Sequence, residues 1–292
     1  MKKFIKVFFY SIGFSALNLL MQLVVGVIVT IAYLILFKGP EMFLDPNAIR
    51  SMNIEEIVIA TLFPTLIIAA FLTFGVAWLL HLIFRRRFIE RLSFQKTSIT
   101  FIALSLLAGA CLQLPIGYLI HLVEITGIAP DVFTKYVELM EPLMAPQNLV
   151  LQIITIGIIA PVLEECIFRG LVFHQLRKNV PVALALIIQA LLFGISHMNI
   201  IQGTYAFLTG ILMGLLLLWS DSLILPICMH VGMNTMGVLF SHFGEGLSDT
   251  AFYILTAVSV ILIIVSMVLI GRMTKKHPQL TLESDIPPTL QE

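Results

Sequence analysis

The sequence predicts an all-α protein of about eight transmembrane helices, and three observations support that prediction. Hydrophobic residues make up 59% of the 292 residues and charged residues only 12%, whereas an average soluble domain is about a quarter charged. The apolar residues form eight runs, each close to the roughly 20 residues that cross a hydrocarbon core. These runs are continuous rather than alternating, which argues against the strands of a membrane barrel.

The eight runs are separated by charged residues or by breaks that contain Pro or Gly. The predicted spans are 8–37, 57–84, 98–123, 148–172, 181–198, 202–219, 223–242 and 251–271. The first run is longer than the apolar region of a signal peptide and lacks a small-residue cleavage site, so we expect it to remain as a helix.

The chain divides into four predicted parts. The organisation is three N-terminal spans with their loops in 1–147, a core in 148–242, a last span in 243–273 and a polar tail in 274–292. The tail contains three prolines and no helical periodicity, so we expect it to be disordered.

The charge balance indicates which partners to expect. Lys plus Arg, 17 residues, equals Asp plus Glu, 17 residues, so no net field favours nucleic acid. The lipid bilayer is the expected environment, and nucleic acid is not an expected partner.

The position of the basic residues predicts the topology, because Lys and Arg near span ends concentrate on the cytoplasmic side. Thirteen of the 17 fall on one side of the predicted membrane: Lys2, Lys3, Lys6, Arg85, Arg86, Arg87, Arg91, Lys96, Arg177, Lys178, Arg272, Lys275 and Lys276. The opposite loops contain only Lys38, Arg50 and Lys135. Both termini are therefore predicted to be cytoplasmic.

The fourth span contains three ionisable residues, Glu164, Glu165 and Arg169. Each costs roughly 2.5 to 3.5 kcal/mol at the centre of a membrane helix, so they should face the bundle interior or a watery cavity. Glu165 and Arg169 are four residues apart and can pair on one helix face, whereas Glu164 points about 100° away and has no partner in its own helix. We therefore expect Glu164 to be available for chemistry; the alternative is a polar clamp that only fixes helix packing.

Two further spans carry polar residues. The fifth ends at His197, and the seventh contains His230 and Asn234, four residues apart on one face. A lone His in an apolar helix is more often a core residue, but two together with an unpaired carboxylate form a plausible catalytic group.

The lengths of the connecting segments test whether these residues can meet. Counted from a turn near Asn179, Glu164 and His197 lie at heights of about 22 and 27 Å, so they can be neighbours. His230 is closer to its own turn, and Pro226 favours an extended segment over 222–225 that would raise it toward them.

These three segments resemble the motifs of the CAAX protease and bacteriocin-processing family, also called Abi, of intramembrane endopeptidases. The family motifs are Glu-Glu-x-x-x-Arg, Phe-x-x-x-His and His-x-x-x-Asn. Here they are the segments 164–169, 193–197 and 230–234. The resemblance covers roughly 148–242, about a third of the chain.

The resemblance implies a membrane enzyme that hydrolyses a peptide bond of a membrane-embedded or membrane-surface protein. It assigns water activation to Glu164 and His197, and oxyanion stabilisation or water orientation to His230 and Asn234. Glu165 and Arg169 are expected to support them. The expected location is a bacterial cell membrane.

The sequence does not decide whether the site binds a metal ion. Glu164, His197 and His230 are residue types that bind zinc, yet no His-Glu-x-x-His pair places ligands and base on one helix.

The alternative to an enzyme is a non-catalytic membrane scaffold, or a peptide-immunity or transport protein. Such a protein would use the buried polar cluster for packing or proton coupling. The sequence contains no visible inverted repeat, which argues mildly against a transporter.

Overall fold

The computed structural model describes residues 2–45, 47, 52–85, 88–146 and 148–274, which form a helical bundle with no strand among them. The helices are α1 (Lys2–Tyr33), α2 (Ile54–Ile83), α3 (Phe88–Leu92), α4 (Ile99–Thr126), α5 (Pro130–Met144), α6 (Leu149–Arg177), α7 (Val182–Ile195), α8 (Ile200–Ser220), α9 (Ile224–Phe243) and α10 (Asp249–Thr274). A π-helical turn, Leu34–Lys38, extends α1, and a 3₁₀ helix, Pro40–Leu44, follows it.

The predicted all-α polytopic membrane fold is confirmed. Seven helices of the described chain are long and apolar enough to cross a membrane: α1 with its π-helical turn, α2, α4, α6, α8, α9 and α10. The predicted disordered tail lies outside the described residues except for Thr274, which ends α10.

The fifth predicted span, 181–198, is shorter than expected. Its helix, α7, has 14 residues, or about 21 Å at 1.5 Å per residue, against about 30 Å for a hydrocarbon core. The chain turns at Met198, whose φ is +54°. Asn199 then caps α8 by accepting from the backbone N–H groups of Ile201 and Gln202 at 3.0 and 3.1 Å. His197 therefore lies in the turn between two helices.

Glycines allow helix backbones to come into contact around the centre of the bundle. A Cβ at Gly109 of α4 would overlap the backbone of Met229, and one at Gly232 of α9 would overlap the backbone of Leu106. This close approach joins α4 and α9 and fixes the helix that carries His230 and Asn234.

The expected extended segment over 222–225 is wrong, because α9 already begins at Ile224. Ser93 accepts a backbone hydrogen bond from Leu223 at 3.0 Å, and the Ser105 hydroxyl donates to the carbonyl of Leu225 at 2.8 Å. Pro226 is in the first turn, where a missing N–H removes no intrahelical bond. Contacts with other segments therefore override the local bias against helix before proline.

Helix α6 is not a regular α-helix. Two π-helical segments, Ile153–Ile159 and Cys166–Phe173, flank the α-helical turns of Ala160–Glu165. A π-helix bonds i to i+5, so its wider turns rotate the following side chains and advance the chain less per residue. The heights calculated for regular helices consequently do not apply to α6. His230 lies next to Glu164 and Glu165 without any extended segment before α9.

Helix α5 was not among the predicted elements. It has acidic and basic residues on one side, and its apolar side repeats at helical spacing through Tyr136, Leu139, Met140, Leu143 and Met144. These five side chains face the interior of the bundle and line the cavity described next.

Candidate active site

A cavity of about 740 Å³ lies inside the bundle, and all four residues predicted to be catalytic line it. They are Glu164 from α6, His197 from the turn after α7, and His230 and Asn234 from α9. Helices α1, α2, α4, α5 and α8 complete the wall. The structure therefore brings together groups that are 70 residues apart along the chain.

Glu164 is the carboxylate of the cavity wall. Its side chain is 20% exposed, and its Oε2 atom lies 3.7 Å from Nε2 of His230. That distance is too long for a direct hydrogen bond. A single water molecule in the cavity can contact both groups, which is the geometry that a general base needs.

His230 is held in one orientation by Glu165. Its Nδ1 atom lies 2.9 Å from Oε1 of Glu165, and the same carboxylate oxygen accepts from Nη1 of Arg169 at 2.8 Å. A carboxylate paired with a guanidinium only accepts, so Nδ1 of His230 carries the hydrogen. Its Nε2 atom is directed toward Glu164.

His197 is oriented in a similar way by a backbone group. Its Nδ1 atom lies 2.8 Å from the carbonyl oxygen of Phe193, one turn earlier. Because a carbonyl can only accept, Nδ1 carries the hydrogen, and Nε2 is left for a group in the cavity. Glu164 and His230 line the same cavity as His197.

The Phe193 ring separates the ionisable groups. It contacts His197 and His230 edge-on, with ring centroids 4.9 and 5.7 Å away. The Arg169 guanidinium lies over its face, 4.3 Å from the centroid. The Phe-x-x-x-His motif thus supplies both the carbonyl that orients one histidine and the ring that packs against the other.

Glu165 and Arg169 form the ion pair that their spacing predicts, and both side chains are completely buried. The guanidinium also donates to the carbonyl of Gly210 at 3.4 Å and contacts the sulfur of Met213 at 3.5 Å. The pair therefore connects α6 to α8 and, through His230, to α9.

Asn234 is anchored to α6. Its Nδ2 atom donates to the carbonyl of Ile156 at 3.0 Å, in the first π-helical segment. This bond uses one of the two amide hydrogens, which leaves the other for a group in the cavity.

The cavity wall contains residue types that can bind zinc, namely Glu164, His197 and His230. Over the described ranges, no group of three or more His, Cys, Asp or Glu side chains is arranged to hold a metal ion.

Several polar residues of the cavity wall were not predicted from the sequence. Asn18 and Gln22 of α1 line the cavity, as do Tyr136 and Tyr205, whose hydroxyls are hydrogen-bonded to each other. Asn18 and Gln22 are polar residues four apart in an apolar span, a signal that the sequence does contain.

Comparisons with known proteins concern the segment that carries the motifs. Residues 146–236 match the family model of the type II CAAX prenyl endopeptidase Rce1-like proteins, which supports an intramembrane protease of the CAAX type. An Escherichia coli protein described as an uncharacterized 24.3 kDa protein is 32% identical over 98 residues, which is 32% of this chain and 45% of that protein. The match thus spans less than half of that curated relative. No solved structure matches the chain.

All six predicted site residues lie inside the matched segment. Residues 146–236 of this chain are therefore similar to the type II CAAX prenyl endopeptidase Rce1-like family.

Proposed function

We propose that this chain is an intramembrane endopeptidase that hydrolyses a peptide bond of a membrane-associated protein or peptide. The observation that carries the proposal is the cavity that a partly exposed Glu164 shares with two histidines, each oriented by a hydrogen bond through Nδ1. Peptide hydrolysis in an apolar medium requires a base that removes a proton from water, and this group of side chains supplies one.

In the proposed reaction, Glu164 and His197 activate a water molecule held between them. The water oxygen attacks the carbonyl carbon of the substrate while its proton passes to Glu164. The tetrahedral oxyanion then accepts a hydrogen bond from the Asn234 amide, and His230 orients the attacking water. When the C–N bond breaks, the leaving amine takes up this proton from Glu164, either directly or relayed through Nε2 of His197.

Glu165 and Arg169 act in this proposal as positioning residues. Glu165 holds the tautomer of His230, since it accepts from Nδ1 at 2.9 Å. Arg169 pairs with Glu165 at 2.8 Å in the buried core and so holds that carboxylate in place. Such partners orient a reactive side chain without touching the substrate.

The wall of the cavity indicates the class of substrate. The inner side of α5 contributes leucine, methionine and tyrosine side chains, and the polar groups cluster near Glu164. An apolar, extended segment of a membrane-embedded or membrane-surface protein fits such a wall. A CAAX-type prenylated tail and an unmodified membrane peptide are the two substrates to compare in an assay.

Comparative membrane proteomics of cells with the wild-type protein and with Glu164→Ala tests the proposal. We expect an uncut precursor to accumulate in the variant and its product to disappear. In a scaffold, an immunity protein or a transporter, no cleavage product depends on Glu164. Identical peptide sets in the two strains would therefore favour that alternative.

Cleavage by the purified protein is expected to survive tight chelation, because none of the described side chains forms a three-ligand metal group. The measurement is activity together with bound metal before and after demetallation. Loss of activity that stoichiometric zinc restores, with less bound metal in His197→Ala and His230→Ala, would contradict this and make both histidines ligands.

Both termini are proposed to be cytoplasmic. Single cysteines replacing Arg86, which lies between α2 and α3 in the sequence, and Lys275, which follows α10 in the sequence, should resist membrane-impermeant thiol reagents in intact cells and react after lysis. A cysteine replacing Lys135, on the opposite side, is the matched control and should react in intact cells. External labelling at Arg86 or Lys275 would overturn the topology.

A further inference from the structure

A second, much smaller pocket adjoins Glu164 on the side of the first helix. Its volume is about 20 Å³, and its polar lining comes from Asn18 and Gln22 of α1 and from Thr155 and Glu164 of α6. Asn18, Gln22 and Glu164 also line the large cavity. Glu164 therefore lies in the wall between the two spaces.

Two buried oxygen atoms of this pocket have no hydrogen-bond partner in the described part of the chain. They are Oδ1 of Asn18 and Oγ1 of Thr155. Asn18 is 5% exposed and Thr155 is fully buried. Buried polar atoms in proteins are paired with protein groups or with ordered water.

The hydroxyl of Thr155 differs from those of Thr61 and Thr73, whereas that of Thr235 is likewise without a partner among the described residues. Those of Thr61 and Thr73 in α2 donate to the carbonyl four residues earlier, each at 2.7 Å. Thr155 lies in the first π-helical segment of α6, where the bonding pattern is i to i+5. Its hydroxyl is free to bond across the pocket.

We propose that Asn18 and Thr155 hold one water molecule against Glu164. The pocket volume exceeds the roughly 10 to 15 Å³ that a single water requires. The hydrogen-bonding groups also match: Thr155 donates its O–H to the water, and the water donates one hydrogen to Oδ1 of Asn18 and one to the Glu164 carboxylate. Both unpartnered oxygens are then satisfied, and the water has three partners.

This water fixes the carboxylate from the side opposite the substrate cavity. The inference rests on the proposed function of Glu164 as the base. A carboxylate held on one side by water keeps its reactive oxygen directed toward His230 and the cavity. Asn18 and Thr155 are thus positioning residues, and α1, which lies outside the matched segment, contributes to the site.

Two shape-conserving variants and one control test the inference. Asn18→Leu and Thr155→Val remove a polar atom and keep similar volume, so both replace a polar group by one that suits a buried membrane helix. Thr155→Ser keeps the hydroxyl. Each is purified, solved at a resolution that shows ordered water, and assayed for kcat and KM.

We expect density for a water in contact with Asn18, Thr155 and Glu164 in the wild type and in Thr155→Ser, and its loss in Asn18→Leu and Thr155→Val. The kcat of the latter two should fall about tenfold, the lower range for residues that orient a reactive group, with KM unchanged. Thr155→Ser should retain the wild-type kcat.

A wild-type structure without water between Asn18, Thr155 and Glu164 would overturn the inference, as would wild-type kcat in both apolar variants. Failure of the proposed function would give a different result. In that case Glu164→Gln retains cleavage activity, and the electron density still shows whether the water is bound.

Discussion

Glu164→Gln is expected to insert and fold like the wild type while its cleavage rate falls by about 10²- to 10⁴-fold, the contribution typical of general acid–base catalysis. The amide keeps the shape of the side chain at the cavity wall but cannot take a proton from water. The loss should appear in kcat more than in KM, because Glu164 is proposed to act on the water. The measurement is steady-state cleavage of a membrane peptide by purified protein.

Glu56→Gln, a Glu-to-Gln change at a residue that does not line the cavity, provides the control. Glu56 of α2 pairs with Lys38 at 2.8 Å, and both side chains are exposed. Exposed ion pairs contribute little to stability, so Glu56→Gln should retain wild-type folding and cleavage. Near wild-type cleavage by Glu164→Gln would instead make the assignment of Glu164 wrong and favour a scaffold.

Arg169→Ala is expected to reduce the amount of folded protein sharply. Breaking a buried ion pair typically costs about 3 to 5 kcal/mol, because the remaining charge is left without compensation. Here Glu165 would lose its guanidinium inside a fully buried site, and the packing over Phe193 would be lost as well. Thermal unfolding in detergent and the yield of monodisperse protein measure the effect.

Two further variants show whether the unpaired Glu165 charge causes the loss of stability. The double variant Glu165→Gln/Arg169→Met removes both charges and should recover part of the stability. Arg177→Ala breaks a half-exposed pair with Asp221, 3.5 Å apart, and should leave stability nearly unchanged. Normal yield of Arg169→Ala with selectively lost cleavage would contradict a structural role and place Arg169 among the catalytic residues.

Local pattern was sufficient to predict the class of the fold and the ion pair within one helix. Continuous apolar runs can only be satisfied in lipid as helices, because each backbone group finds its partner inside its own segment. The Glu165–Arg169 pair follows from the four-residue spacing of a helix face. Both results depend on residues close together in the sequence.

The details of α6 and α7 depended on contacts between segments. The sequence did not indicate the π-helical segments of α6, nor that α7 would end before a left-handed Met198. It also placed an extended stretch before Pro226. There the Ser93 carbonyl accepts from the N–H of Leu223 and the Ser105 hydroxyl donates to the carbonyl of Leu225, and these bonds support a helix instead. Local propensity is weak enough for such contacts to override it.

The sequence by itself determined which ionisable residues face the interior of the bundle, because an ionisable group in an apolar span must do so wherever that span packs. Only the tertiary structure decided their partners. Glu165 bonds His230, 65 residues away, and Asn18 joins the wall beside Glu164. Such pairs depend on how helices cross and rotate against each other, and that geometry is set by side-chain packing across the whole bundle rather than by any one helix.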